Sequence, residues 1–137
     1  MISYFKEIDF SFDHANKITL WLNQVIENEG YKPSEINYIF CDDDCLLEKN
    51  IQFLNHDTLT DIISFDYSSD KEISGDIFIS IDRVKENATD FGTNFEDELM
   101  RVMVHGILHF CGYKDKTPNE KKEMRSKEDY YLSLRTF

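Results

Sequence analysis

The sequence predicts an α+β domain with one four-stranded mixed sheet and about five helices. The chain has 137 residues, of which 41% are hydrophobic and 14% aromatic, and this suffices for a single domain over residues 1–137 with a substantial core. Short β-branched and aromatic runs indicate strands, and apolar residues at helical spacing indicate helices. Their order is strand, helix, strand, helix, hairpin and then three helices, which is typical of the α+β class.

The first half of the chain is predicted to hold two strands, each followed by a helix. Residues 2–9 form the first strand, and Asp13 is expected to cap a helix that stops at Gly30. Residues 36–40 form the second strand. The acidic run 42–44 then offers an N-cap and a favourable charge for a short helix.

The second half is predicted to begin with a hairpin and to end in helices. Residues 62–65 and 73–81 form its two strands, joined by the polar turn 68–71. Asp82 is expected to start a short helix that ends near Gly92.

Two capping boxes indicate where the last two helices begin. Residues 93–96 (TNFE) open a helix whose Leu99, Met103 and Ile107 form an inward-facing stripe. Residues 117–120 (TPNE), with proline at the first helical position, open a polar terminal helix.

The charge of the chain is strongly but unevenly negative. The formal net charge is −12, from 15 basic and 27 acidic side chains. Residues 114–137 contain seven of the basic and five of the acidic ones, so this segment is positive and the rest is strongly acidic. Because RNA contact favours lysine and arginine, an RNA-binding function would have to use the C-terminal segment. The alternative is an ordinary solvated helix face.

Composition also bears on location. No segment approaches the run of about 20 apolar residues that a membrane span needs, and the N-terminus lacks the basic and apolar regions of a signal peptide. The three cysteines are expected to be reduced thiols of a cytoplasmic protein. A metal site at Cys41 and Cys45, which flank three aspartates, is the alternative.

The segment HGILHFCGYKD, residues 105–115, carries the clearest chemical signal. In a helix, His105 and His109 lie one turn apart on one face, close enough for both imidazoles to reach one ion. Gly112 can adopt the left-handed conformation that ends a helix, and the turn can return Asp115 to the same ion. Three protein ligands leave the fourth position of a tetrahedral zinc open, as a hydrolytic site requires. An ordinary histidine pair without metal is the alternative.

This segment resembles the HGxLHLxGYDH motif of the YbeY family, metal-dependent endoribonucleases of bacterial ribosomal RNA maturation. Residues 60–65 (TDIISF) are similar to the family's PT(D/N)VLSF segment, and residues 74–77 (SGDI) to its LGDI segment. Further matching positions make the resemblance extend over essentially the whole chain. They are Asn50, Glu98, Leu99, Met124 and Glu128.

The resemblance implies a zinc-dependent, single-strand-specific endoribonuclease that acts in ribosomal RNA processing and in ribosome maturation or quality control. One Zn²⁺ per chain would be held by His105, His109 and Asp115. The implied partners are single-stranded or precursor ribosomal RNA and the ribosome or components of its small subunit, with no membrane. Asp76, in the LGDI-like segment, and Glu98, two turns before His105, are candidates for acid–base or metal-supporting roles.

Three positions depart from the family pattern. Asp115 stands where the family usually has a third histidine, and Lys114 replaces the aspartate beside it. Leu54 stands where the family has an arginine, the residue type best suited to hold a phosphate. Arg101 is the candidate to replace that arginine.

Two other functions are compatible with the sequence. One is a ribosome-assembly or RNA-binding factor whose metal mainly orders the fold; His56 could then complete a closed four-ligand site. The other is a metalloprotease of the metzincin type, which shares the histidine spacing. Those enzymes place a glutamate directly after the first histidine as general base, whereas Gly106 cannot accept a proton.

Overall fold

The computed structural model describes residues 1–54 and 60–137. In chain order the elements are β1 (Ile2–Lys6), α1 (Ala15–Asn28), β2 (Lys32–Cys41), α2 (Asp43–Leu54), β3 (Ile62–Asp66), β4 (Glu72–Ser80), α3 (Ile81–Phe91), α4 (Phe95–Phe110) and α5 (Pro118–Ser133). The predicted α+β class, the hairpin and the order of elements are confirmed. His56 and its turn lie outside the described residues.

The sheet is mixed, with strand order β1-β2-β4-β3. β1 pairs with β2 and β2 with β4 in parallel, whereas β3 and β4 are antiparallel. The parallel pairs need crossover connections, which α1 and the α2–β3 segment supply, and the antiparallel pair needs only a tight turn. β4 is therefore a central strand bordered by β2 and β3.

Helices cover both faces of the sheet, and α4 crosses one of them. The Tyr38 hydroxyl of β2 donates a hydrogen bond of 2.7 Å to the carbonyl oxygen of Met103 in α4. Helix α1 packs on the same face, α3 and α5 pack along α4, and α2 contacts β3 and β4. Around α2, Leu46 and Ile63 belong to a small apolar cluster separate from the main core. α4 is thus the central helix of the domain.

Two glycines let α4 approach the sheet closely. A Cβ atom on Gly75 of β4 would lie 2.3 Å from the Phe65 carbonyl oxygen and 2.6 Å from the Phe110 ring. A Cβ atom on Gly106 of α4 would lie 3.0 Å from Ile77. Neither position leaves free space for a larger side chain.

Several predicted helix starts are off by one or two residues. α1 begins after His14, which has a φ of 64° and no capping side chain, so Asp13 is not the cap. Asn94 rather than Thr93 caps α4, by accepting a hydrogen bond from the Asp97 amide. Ser80 caps α3, one residue before the helix begins at Ile81. In α3 and α4 a neighbouring residue, Ser80 or Asn94, has the extended backbone and the side-chain hydrogen bond that capping requires, whereas α1 has no side-chain cap.

Two predicted caps are confirmed. Asp42 accepts a hydrogen bond of 2.9 Å from the Cys45 amide at the start of α2. The capping box of α5 forms in both directions, between Thr117 and Glu120.

Candidate metal centre

The predicted ligands His105, His109 and Asp115 converge on one point. His105 and His109 lie one turn apart near the C-terminal end of α4, with their ring centres 4.5 Å apart. The Nε2 atoms of His105 and His109 lie 3.2 and 3.3 Å from the Asp115 Oδ2 atom. One potential ligand atom from each residue lies within 4.8 Å of the other two. Three donors at this separation can share one divalent ion.

The turn after α4 brings Asp115 to the histidines, as the sequence predicts. α4 ends at Phe110, and Gly112 has a φ of 102°, a conformation that favours glycine. The chain then reverses, and the Tyr113 carbonyl oxygen accepts a hydrogen bond of 2.9 Å from His109 Nδ1. The same turn thus supplies a ligand and orients another.

In each histidine, the hydrogen bond made by Nδ1 leaves the Nε2 lone pair available to bind an ion. His105 Nδ1 lies 2.7 Å from the Glu128 carboxylate, and His109 Nδ1 bonds a carbonyl oxygen, which only accepts. Both Nδ1 atoms therefore carry the proton in the neutral ring, and both Nε2 lone pairs face the common point. Partners of this kind also fix ring orientation in metal sites.

The charge of Glu128 affects the titration of His105. Burial favours the neutral imidazole, but the hydrogen bond and charge of Glu128, with the charge of Asp115, raise the pKa of His105 above its ordinary value. A divalent ion would compete with that proton, because a metal ligand must be deprotonated.

The three candidate ligands line a cavity of about 420 Å³ whose wall is formed by residues of β3, α3, α4 and α5 and of the turn after α4. Its other lining residues include Asp61, Glu98, Arg101, Arg125 and Glu128. This volume lies in the range of about 300–1,000 Å³ that is usual for small-molecule sites. The cavity, hereafter the histidine cavity, therefore has room for a substrate group beside an ion.

Two acidic side chains in the histidine cavity have perturbed pKa values. Burial raises the pKa of Asp61, although the charge of His105 opposes the rise. Burial, and then the charge of Asp61, raise the pKa of Glu98, which is only 5% exposed. Glu98 is thus not a solvated helix carboxylate. Asp61 was not predicted from the sequence as a site residue, although it lies within the TDIISF segment that resembles the family motif.

Arg101 lines the histidine cavity but is held by two carboxylates. Its guanidinium lies 2.9 Å from Glu128 and 2.7 Å from Asp129. Glu128 therefore bridges Arg101 and His105, and Arg101 contributes to the position of that histidine through it. No signal in the sequence indicated this pairing, because α4 and α5 meet only in the folded chain.

The structure does not bring Asp76 to the histidine cavity. Side chains alternate along a strand, and Ile77 lies against Gly106 of α4, so Asp76 faces the other side of the sheet. There it accepts a hydrogen bond of 3.0 Å from the Asn37 amide across the β2–β4 pair. Its expected role at the metal centre stays a prediction with no contact to support it.

Two alternatives for the site are weakened by the geometry. Gly106, at the position of the metzincin base, faces Ile77 and Ile62 rather than the cavity. Cys41 and Cys45 are free thiols, and the ligand cluster found among the described residues does not include them. Burial, then the neighbouring Cys45, raises the pKa of Cys41 above its ordinary value, which disfavours the thiolate that a metal needs.

Comparison with known proteins identifies relatives over nearly the full length of the chain. The family model described as Endoribonuclease YbeY matches residues 3–135. A protein named Endoribonuclease YbeY from Flavobacterium psychrophilum is 59% identical, and one of the same name from Flavobacterium johnsoniae is 55% identical; each alignment covers 98% of this chain and 96% of the relative. A solution structure of a Thermotoga maritima protein superposes with a TM-score of 0.68 at 28% identity, covering 97% of this chain and 87% of that one.

Within the part of the chain that the structure describes, no helix has the length and apolar character needed to cross a bilayer.

Proposed function

This chain belongs to the Endoribonuclease YbeY family, and from that premise we propose that it is a zinc-dependent endoribonuclease that cuts single-stranded RNA. The observation that carries the proposal is the convergence of two imidazole nitrogens and one carboxylate oxygen within a substrate-sized cavity. Its proposed role is the processing of precursor ribosomal RNA in the cytoplasm, in association with the ribosome or its small subunit.

The donor set fits zinc. Two neutral imidazoles and a carboxylate are ligands that zinc accepts, and three protein ligands are typical of its catalytic rather than its structural sites. The chemistry that zinc supplies at such a site is polarisation of the scissile phosphate and stabilisation of the negative charge that develops there.

The chain's own residues have complementary tasks in this proposal. Glu128 accepts a hydrogen bond from the protonated Nδ1 of His105 and so keeps the Nε2 lone pair of that histidine available. Glu98 lines the same cavity, and its raised pKa supports a role in holding or passing on a proton at its carboxyl oxygens. Arg101 supports the site through its contacts to Glu128 and Asp129.

The decisive test compares the wild type with a His105→Ala/His109→Ala variant, purified in parallel, on a labelled single-stranded RNA and on a duplex of the same sequence. We expect the wild type to cut the single strand, to lose activity on chelation and to regain it with zinc, while the duplex resists. The variant should be inactive. A circular dichroism spectrum of the variant serves as the control that it is folded.

Equal cleavage by both proteins would assign the cuts to a contaminating nuclease. The runner-up function, an RNA-binding assembly factor with a structural metal, would then be favoured by the acidic body of the chain and by Leu54.

A further inference from the structure

A second cavity adjoins the histidine cavity and shares part of its wall. It measures about 380 Å³ and contains Thr93, Leu132, Arg135 and Phe137 in its lining. Among the described residues, four line both cavities: Phe91, Glu98, Arg101 and Arg125. These four residues are called the junction here. They join the two cavities into one groove with α4 as its floor and with α3 and α5 on its two sides.

Of the two arginines in the junction, Arg125 is the one whose guanidinium is not engaged in an ion pair with a described residue. Arg101 is ion-paired with Glu128 and Asp129, and Arg135, in the second cavity, with Asp97. Arg125 is exposed, and among residues 1–54 and 60–137 no carboxylate lies within ion-pairing distance of it. Its charge is felt by Glu98, whose pKa it lowers against the stronger effect of burial. An unpaired guanidinium is well suited to bind a phosphate.

Phe91 supplies the second element of the junction. It is the last residue of α3, and 66% of its surface is exposed although it is a large apolar side chain. Gly92, with a φ of 69°, ends the helix directly after it. Phe91 and Arg125 thus line the same groove from α3 and α5. An exposed aromatic ring and a cation in one groove can bind single-stranded nucleic acid, because the cation holds the backbone and every base offers a face to stack on.

We propose that the junction is a nucleotide subsite for single-stranded RNA. The Arg125 guanidinium binds a phosphate next to the one at the metal centre, and Phe91 stacks on the base of that nucleotide. The proposal rests on the proposed function and adds a reason for strand selectivity: a base paired in a duplex is already stacked and cannot lie on Phe91. It also assigns to Arg125 the phosphate-binding task that the sequence reasoning gave to Arg101.

The test measures, by anisotropy, binding of a fluorescently labelled, cleavage-resistant analogue of single-stranded RNA to the zinc-loaded protein. Phe91→Ala is expected to weaken binding at least about fivefold, the lower end of what loss of one stacked base produces. Arg125→Gln is expected to reduce the slope of log affinity against log salt concentration by about 0.7, the value for one phosphate contact on a single strand.

Matched control variants show whether the effects are specific to the junction or follow from the loss of any exposed aromatic ring or positive charge. Tyr67→Ala removes an aromatic ring that is 63% exposed and lines neither cavity. Lys122→Gln removes an exposed charge from α5 that also lines neither cavity. Both are expected to bind RNA within about twofold of the wild type and to keep its salt slope, because they make no contact with the strand.

An RNA series in which one base at a time is removed tests the stacking directly. In the wild type, one position should weaken binding when its base is absent. In Phe91→Ala the same removal should have no further effect, and both proteins should bind that abasic RNA equally. A misfolded variant would instead bind every RNA poorly.

Steady-state kinetics give an independent readout. The zinc-loaded Phe91→Ala and Arg125→Gln variants should show a raised KM with kcat little changed.

The outcomes distinguish this proposal from the one on which it rests. If the wild type cuts RNA but Phe91→Ala and Arg125→Gln match their controls, the subsite is wrong and the proposed function stands. If the wild type neither binds nor cuts RNA, the proposed function is wrong and the subsite with it.

Discussion

At the residue scale, the metal centre depends on which groups are kept neutral and which are kept charged. The hydrogen bonds that the Nδ1 atoms of His105 and His109 donate orient the rings so that both Nε2 atoms face Asp115. Glu98 is a carboxyl group whose charged form is disfavoured: it is 5% exposed, and burial, then the charge of Asp61, raises its pKa. Ionisation of Glu98 in this position therefore costs folding free energy.

The substitution Glu98→Gln should therefore stabilise the protein at neutral pH and slow the reaction. A carboxyl whose pKa is raised by folding destabilises the protein as pH rises from its ordinary pKa through the raised one. Glutamine cannot ionise, so the variant should have the higher Tm at pH 7, and the difference should vanish below the ordinary carboxyl pKa. If Glu98 transfers a proton, turnover should fall about 100-fold or more.

Thermal denaturation between pH 4 and pH 8, together with cleavage kinetics, checks both parts of this prediction. Glu96→Gln, an exposed carboxylate on the same first turn of α4, is the matched control and should show neither effect. An unchanged Tm for Glu98→Gln at pH 7 would contradict the assignment of a costly buried charge.

At the element scale, the position of α4 on the sheet sets the position of both histidines. The contact is close because Gly75 and Gly106 remove side chains from the interface. Phe110, directly after His109, lies over Gly75, so this packing includes the end of α4 that carries the candidate metal ligands. Close-packed interfaces of this kind do not absorb added atoms without displacement.

The substitution Gly75→Ala should lower the free energy of unfolding by about 1–3 kcal/mol, the usual cost of overpacking. The added Cβ would overlap the Phe65 carbonyl oxygen, a backbone atom that cannot move alone. Gly106→Ala is the matched comparison, because its Cβ would meet only the side-chain ends of Ile77 and Ile62. Urea denaturation of both variants measures the two costs, and a larger loss for Gly106→Ala would contradict this account.

At the scale of the whole molecule, the groove places three arginines, one of them without an ion-pair partner among the described residues, on an acidic protein. Arg101, Arg125 and Arg135 line it, whereas the chain carries a net charge of −12. RNA binding should accordingly weaken as salt increases, because local attraction must overcome repulsion by the body of the protein.

Zinc binding should also stabilise the whole domain, since α4, the following turn and α5 all contribute to the centre. At a free zinc concentration 100 times its Kd, the expected gain is about 2.7 kcal/mol, seen as a rise in Tm. The His105→Ala/His109→Ala variant should show no such rise, and magnesium should not replace zinc, because imidazole ligands favour zinc. An equal rise in the variant would mean that zinc binds elsewhere.

Features that depend on residues near one another along the chain could be predicted without the structure. Helical spacing aligned His105 with His109, Gly112 predicted the turn, and the turn predicted Asp115 as the third ligand. The α+β class and the capping box of α5 followed from similar local patterns. Caps were off by a residue where adjacent polar side chains, such as Thr93 and Asn94, offer nearly the same hydrogen bond.

Only the tertiary structure decided which residues from different elements meet. Glu128 of α5 contacts His105 of α4, Phe91 of α3 shares a groove with Arg125 of α5, and Asp76 lies on the far side of the sheet. These relations depend on helix packing and on the face that a strand residue occupies. A one-residue change of register would reverse that face, so composition and spacing along the chain cannot specify it alone.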